Sequence, residues 1–186
     1  MNKSLKLSIS NMKNEIKSIL QQNILSMYVY GSCVLNDFQL GWSDIDILVL
    51  TKNRLKDEEV NKLLSLRQEM LKKEPKNKYY RSFEGAILSI NSFLNLTKEN
   101  IVYWGTKGEK VRDNYVLDSF SMQELIEHGL LICGEDIRNK LVKPSFKDLK
   151  SDIKYHYETI RKHGKKFIFV WLVFRYFKMY LHFKNR

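Results

Sequence analysis

The segment Asp44-Ile45-Asp46-Ile47-Leu48-Val49-Leu50 constrains the fold more than any other stretch of the chain. Its near-continuous Ile/Leu/Val run predicts a strand over residues 45–50 that is buried on both faces of a sheet. Two carboxylates stand at the entrance to that strand. Residues two apart on a strand project to one face, roughly 6.5 to 7 Å apart along the chain, so Asp44 and Asp46 face the same way. Flanked by apolar residues, the pair repels itself unless a cation sits between the two charges. A hard divalent cation resolves the conflict, and Mg²⁺ is commonly held by one or two carboxylates plus substrate phosphates. The pair therefore reads as the protein half of a metal–triphosphate site.

A second local feature points the same way. Residues 24–30 are rich in β-forming side chains and end at Gly31-Ser32, a small turn where backbone N–H groups and a hydroxyl can approach a phosphate. Before it, Leu5, Ile9, Met12, Ile16, Ile19 and Leu20 recur at helical spacing and predict an amphipathic helix over residues 4–21. After it, residues 56–73 predict a helix closed by Pro75 and Asn77, and residues 82–90 a third strand. The reading then becomes coarser. It expects a short helical piece to about Trp104, a Gly-flanked loop over residues 105–108, a helix from Ser121 to His128 with Ser121 and Glu124 at capping-box spacing, and a short strand over residues 130–133. The Gly-x-x-Gly of the loop is by itself weak evidence for phosphate binding.

Charge narrows the partners. The net charge of +11 is uneven: residues 145–186 hold 11 Lys and Arg against 3 Asp and Glu, which leaves only +3 for residues 1–144. A basic tail can track nucleic-acid phosphates, but a solvated face of terminal helices is the favoured reading. Pro144-Ser145 separates the two compositions, so residues 1–144 are expected to form the catalytic domain and residues 145–186 a short helical region of two helices. The second, over residues 167–183, is crowded with aromatic side chains, and a homodimer through it is expected. Its apolar run is too short and too charged to span a membrane. No secretory signal is read, and Cys33 and Cys133 read as free thiols, which together suggest a cytoplasmic protein.

The stretch from Gly31-Ser32 to Ser43-Asp44-Ile45-Asp46 resembles the signature of the DNA polymerase beta-like nucleotidyltransferases, a Gly-Ser followed about a dozen residues later by Asp-x-Asp. The Ser-Asp-Ile-Asp wording is most similar to the bacterial aminoglycoside nucleotidyltransferases. The resemblance continues at Arg81-Ser82-Phe83-Glu84-Gly85-Ala86-Ile87, where those relatives carry a third acidic residue on a strand. It implies an α/β (α+β) fold, a mixed sheet with flanking helices packed on one side, and a C-terminal helical region shorter than the family's.

It also implies a chemistry. Asp44, Asp46 and Glu84 would be catalytic and metal-binding, with two Mg²⁺ ions expected; Gly31, Ser32 and Ser43 would contact the nucleotide; and Glu84 would take the proton from the attacking hydroxyl. The reaction so implied moves a nucleoside monophosphate, AMP from ATP, onto the hydroxyl of a small molecule such as an antibiotic. The basic tail suits a less cationic or anionic acceptor better than a polycationic drug. Two alternatives stay open. The chain could keep the fold as a nucleic-acid or partner-binding module, and Glu84 could simply form a salt bridge with Arg81 or a lysine. The four histidines lack metal-ligand spacing, and Tyr28, Tyr30, Phe38 and Trp42 read first as packing around the turn.

Overall fold

The computed structural model describes residues 1–163. The expectations for residues 167–183, the aromatic helix and self-association through it, lie outside the described residues. The chain divides into two compact units: Met1–Val116 with Glu124–Leu141, and Leu117–Gln123 with the segment that starts at Val142.

The first unit is built on six strands: β1 Ile24–Tyr30, β2 Ile45–Thr51, β3 Phe83–Ser89, β4 Ile101–Gly105, β5 Gly108–Arg112 and β6 Leu130–Gly134. They form one sheet in the order β5-β4-β3-β2-β1-β6. The sheet is mixed. Strands β2 and β3 run parallel, because the helix α2, Asp57–Lys73, carries the chain back between them; the other pairs are antiparallel.

Helix α1, Lys3–Leu20, buries Leu5, Ile9, Met12, Ile16 and Leu20 at the three-to-four spacing of one helical face. Its start is capped by Asn2, whose side chain accepts from the Leu5 N–H at 2.8 Å. Helix α2 buries Val60, Leu63, Leu66 and Met70 and has Asp57, Glu58 and Glu59 in its first turn and Lys72 and Lys73 in its last, as the helix dipole favours. Both helices contribute to one core cluster with Met27, Val29, Ile45, Ile47, Val49, Phe83, Ile87, Val102 and Trp104. These strand residues are spaced by two, so they share one face of the sheet. The alternate residues, among them Asp46, Leu48, Glu84, Ala86 and Tyr103, belong to the opposite face, which leaves the carboxylates on the side away from α1 and α2.

Three local expectations are corrected. The short helix α3, Ile90–Asn95, stops at Leu96, which takes a left-handed φ of 54°. Residues up to Trp104 do not continue it, because Ile101–Gly105 is strand β4. The Gly-x-x-Gly segment is the turn of the β4–β5 hairpin, with Gly105 paired to Gly108, and Gly108 takes the positive φ of 107° there. Helix α4, Ser119–His128, begins before Ser121. Its cap is Asp118, whose carboxylate accepts from the Ser121 N–H at 2.7 Å.

In the second unit, helix α5, Phe146–His163, starts at a reciprocal cap: the Ser145 N–H donates to the Asp148 carboxylate at 3.0 Å and the Asp148 N–H to the Ser145 hydroxyl at 3.2 Å. Among the described residues no helix is long and apolar enough to cross a membrane.

Candidate active site

The end of β1 and the start of β2 are neighbours, with Tyr30 opposite Asp46 in antiparallel register. Between them the chain makes the tight turn Gly31–Cys33, which requires a φ of 70° at Gly31, a conformation open to glycine without strain. The Gly31 carbonyl accepts from the Val34 and Leu35 N–H groups at 3.1 and 3.2 Å. The Ser32 hydroxyl, buried, reaches the Asp44 carbonyl at 3.5 Å. This ties the turn to the entrance of β2.

Ser43 is also buried, and its hydroxyl accepts from the Gln39 N–H at 2.9 Å while its own N–H donates to the Gln39 carbonyl at 2.8 Å. It closes the loop that delivers Asp44. Asp44 stands one residue ahead of β2, and both Asp44 and Asp46 are half-buried.

Glu84 is the direct register partner of Asp46 across the parallel pair β2–β3. Adjacent strands lie about 4.8 Å apart, so two half-buried carboxylates face the same side from neighbouring positions. The structure thus brings Asp46 and Glu84 together, with Asp44 just ahead of β2, two residues before Asp46. The next residue explains how β3 lies so close to β2. Gly85 has φ 146°, and a Cβ there would fall 1.9 Å from the Ile47 carbonyl oxygen.

Glu84 makes no salt bridge with Arg81 or a lysine among the described residues. Its partner is the Tyr103 hydroxyl, which donates to Glu84 Oε1 at 2.6 Å. Tyr103 lies on β4 opposite Ala86, and its ring carries the Arg112 guanidinium 3.8 Å from its centroid. Lys110 Nζ lies 5.7 Å from the same ring. Burial first, then the hydrogen bond to Glu84, pushes the Tyr103 phenol well above its ordinary range, so the proton stays on the phenol oxygen.

Neither Tyr103 nor Arg112 was marked by the motif. The signal that could have found Tyr103 was the β-branched and aromatic run Ile101-Val102-Tyr103-Trp104, followed by a glycine-bounded hairpin turn. Of the aromatic residues near the motif, Tyr28 is buried and hydrogen-bonded to Asp136 at 3.1 Å. Phe38 packs against Tyr79 at 6.0 Å, and Trp42 is exposed.

Residues 14–98 match the family model described as polymerase beta, nucleotidyltransferase, a span that includes the Gly31–Cys33 turn, Asp44, Asp46 and Glu84. The fold is similar to that of the spectinomycin adenyltransferase AAD(9) from Enterococcus faecialis, solved with ATP and spectinomycin. The TM-score is 0.60 and the identity 18%, over 86% of this chain and 69% of that one. A Shewanella oneidensis HEPN toxin–MNT antitoxin complex gives a fainter likeness, with a TM-score of 0.37 and 12% identity over 86% of this chain and 93% of that one. No curated protein matches the sequence. The motif, the mixed sheet and the family match agree: residues 14–98 match the polymerase beta, nucleotidyltransferase model and form the core of a fold similar to that of a polymerase beta-like nucleotidyltransferase.

Proposed function

We propose that this chain is a Mg²⁺-dependent nucleotidyltransferase that moves AMP from ATP onto the hydroxyl of a small-molecule acceptor, of the kind an antibiotic presents. The observation that carries the reading is the in-register pairing of Asp46 with Glu84 on a half-buried face, with Asp44 beside them. A fold gains nothing from bringing like charges together unless a cation or a substrate proton uses them. The likeness to a spectinomycin adenyltransferase supports the choice of ATP and of a small acceptor.

The donor set suits Mg²⁺ in kind, because carboxylate oxygens are the hard ligands this ion takes. Among the described residues no cluster of three or more His, Cys, Asp or Glu could hold an ion alone. Mg²⁺ does not require one, since it ordinarily retains waters and shares its shell with substrate phosphates. Asp44 and Asp46 would hold the metal with the triphosphate, and Glu84 would stand at the same site. When bound, the ion neutralises charge on the phosphates.

The remaining work falls to the chain. The Gly31–Cys33 turn and Ser43 shape the wall against which the triphosphate would lie. Glu84 accepts the proton of the acceptor hydroxyl as its oxygen bonds to the α-phosphorus, and the bond to pyrophosphate breaks on the opposite side. The reading assigns catalysis to residues 1–144.

The test is transfer of label from α-labelled ATP to a panel of hydroxyl-bearing antibiotics, spectinomycin included, with and without Mg²⁺. Metal-dependent labelling of one acceptor with release of pyrophosphate is expected. Tight Mg-ATP binding with no transfer to any acceptor would favour a binding module that has kept the fold.

A further inference from the structure

We infer that Tyr103 is the positioning residue for Glu84, fixing one carboxylate oxygen so that the other is presented to the reacting hydroxyl. The inference rests on the reading of Glu84 as the base and adds a residue that lies on a different strand and outside the family-matched segment.

The geometry is specific. The donor–acceptor distance of 2.6 Å is that of a close hydroxyl–carboxyl hydrogen bond. It engages Oε1. Glu84 makes no other hydrogen bond or ion pair among the described residues, so Oε2 has no partner among them. A glutamate held at one end only has rotatable bonds to spare, and their freedom works against catalysis that depends on placement. Anchoring one oxygen removes that freedom while leaving the second to accept a proton or to ligate a metal.

Tyr103 can serve as an anchor because it is itself held. Its position on β4 is set by pairing with β3 on one side and β5 on the other. The Arg112 guanidinium covers its ring at 3.8 Å and the Tyr115 ring packs at 6.0 Å. Arg112 and Lys110 have no carboxylate partner among the described residues. Their charge therefore lies beside the hydroxyl–carboxylate pair rather than being neutralised elsewhere.

The bland alternative is that Tyr103 uses the nearest acceptor and supports only the sheet. A double-mutant cycle of Tyr103→Phe and Glu84→Gln separates the two, because Phe keeps the ring and its stacking and removes only the hydroxyl. Three quantities would be read: kcat and KM for ATP in transfer, Mn²⁺ affinity in the presence of a non-hydrolysable ATP analogue, and the melting temperature. Tyr103→Phe should lower kcat and Mn²⁺ affinity by about 10- to 100-fold, as loss of a partner that orients a ligating group does. KM for ATP should stay within about twofold. In the Glu84→Gln background the same change should add nothing.

An unchanged kcat and Mn²⁺ affinity in Tyr103→Phe would overturn the inference, as would losses that multiply independently of Glu84. If Glu84→Gln transfers at the full rate, the base assignment fails, and the Mn²⁺ arm of the cycle still decides whether Tyr103 acts through Glu84. A wild-type chain that binds no Mn²⁺ and transfers nothing would sink both.

Discussion

Tyr103 and Trp104 are consecutive residues of β4 that point to opposite faces of one sheet, and their surroundings treat charge in opposite ways. Below Trp104, on the face covered by α1 and α2, Arg67 is 4% exposed and fully occupied. Its Nε donates to Glu109 Oε1 at 2.5 Å, and its two terminal nitrogens donate to the Phe83 and Gly105 carbonyls at 2.6 and 3.0 Å. The Trp104 indole N–H donates to the Leu63 carbonyl at 2.9 Å. Above Tyr103, carboxylates from β2 and β3 stand side by side, and the one on β3 is held by a neutral phenol instead of a cation. A charge matched in sign and in hydrogen bonds is part of the scaffold. Like charges gathered on neighbouring strands mark a place for a ligand.

The largest effect should come from the carboxylate face. Asp44→Asn or Asp46→Asn should reduce nucleotide transfer by about 10³-fold or more, since a metal clamp contributes several kcal/mol to such a transition state. Stability should change little, because one charge of a repelling group is removed. Retained turnover in both variants, measured with saturating Mg-ATP, would break the comparison.

Glu84→Gln keeps the shape of the side chain and removes the base. Transfer should fall by roughly 10²- to 10⁴-fold with ATP affinity nearly unchanged. A wild-type rate in this variant would make Glu84 structural after all.

Arg67→Met is the complementary experiment on the matched face. It leaves the half-buried Glu109 without its cation and the Phe83 and Gly105 carbonyls without their donor, and should cost about 3–5 kcal/mol in urea-induced unfolding. The rate per folded molecule should be preserved. Acid sharpens the same point. Burial works against ionised Glu109, but the hydrogen bond and charge of Arg67 outweigh it and hold the carboxyl below its ordinary value. A group depressed on folding stabilises above its unfolded pKa, so that contribution should fade as pH drops through the folded value and be absent in Glu109→Gln.

The smallest effect is expected at Ser43, where the hydroxyl accepts one backbone hydrogen bond from Gln39. Ser43→Ala should lower stability by about 1 kcal/mol. A null result by chemical denaturation would show that the loop closes without it.

Much of this arrangement was readable along the chain, and the failures share one cause. Leu5, Ile9, Met12 and Ile16 announce α1 because helix periodicity is a local property, and β1, β2, β3 and β6 were marked by runs that only strands accommodate well. The β4–β5 hairpin was missed because Ile101-Val102-Tyr103-Trp104 is too short to distinguish helix from strand. Its partner Gly108-Glu109-Lys110-Val111-Arg112 is a polar edge strand with little apolar signal. The start of α4 was misplaced for a related reason: Ser121 and Glu124 have the right spacing for a cap, but Asp118 has the better acceptor and takes the Ser121 N–H itself.

The sequence by itself marked the strand that carries Asp46 and the glycine turn that precedes it, because two-residue alternation and a positive φ are settled within a few residues of chain. It also carried enough of the motif to point to Glu84. Only the tertiary structure decided that Glu84 stands opposite Asp46, since the register of β2 and β3 joins two segments that α2 separates along the chain. It alone decided that Tyr103, nineteen residues beyond Glu84, supplies its hydrogen bond, where the alternative reading had a salt bridge with Arg81 or a lysine. The same holds for Arg67 and Glu109, forty-two residues apart, whose pairing leaves no periodic trace because a single contact between distant segments is chosen by packing rather than by local preference.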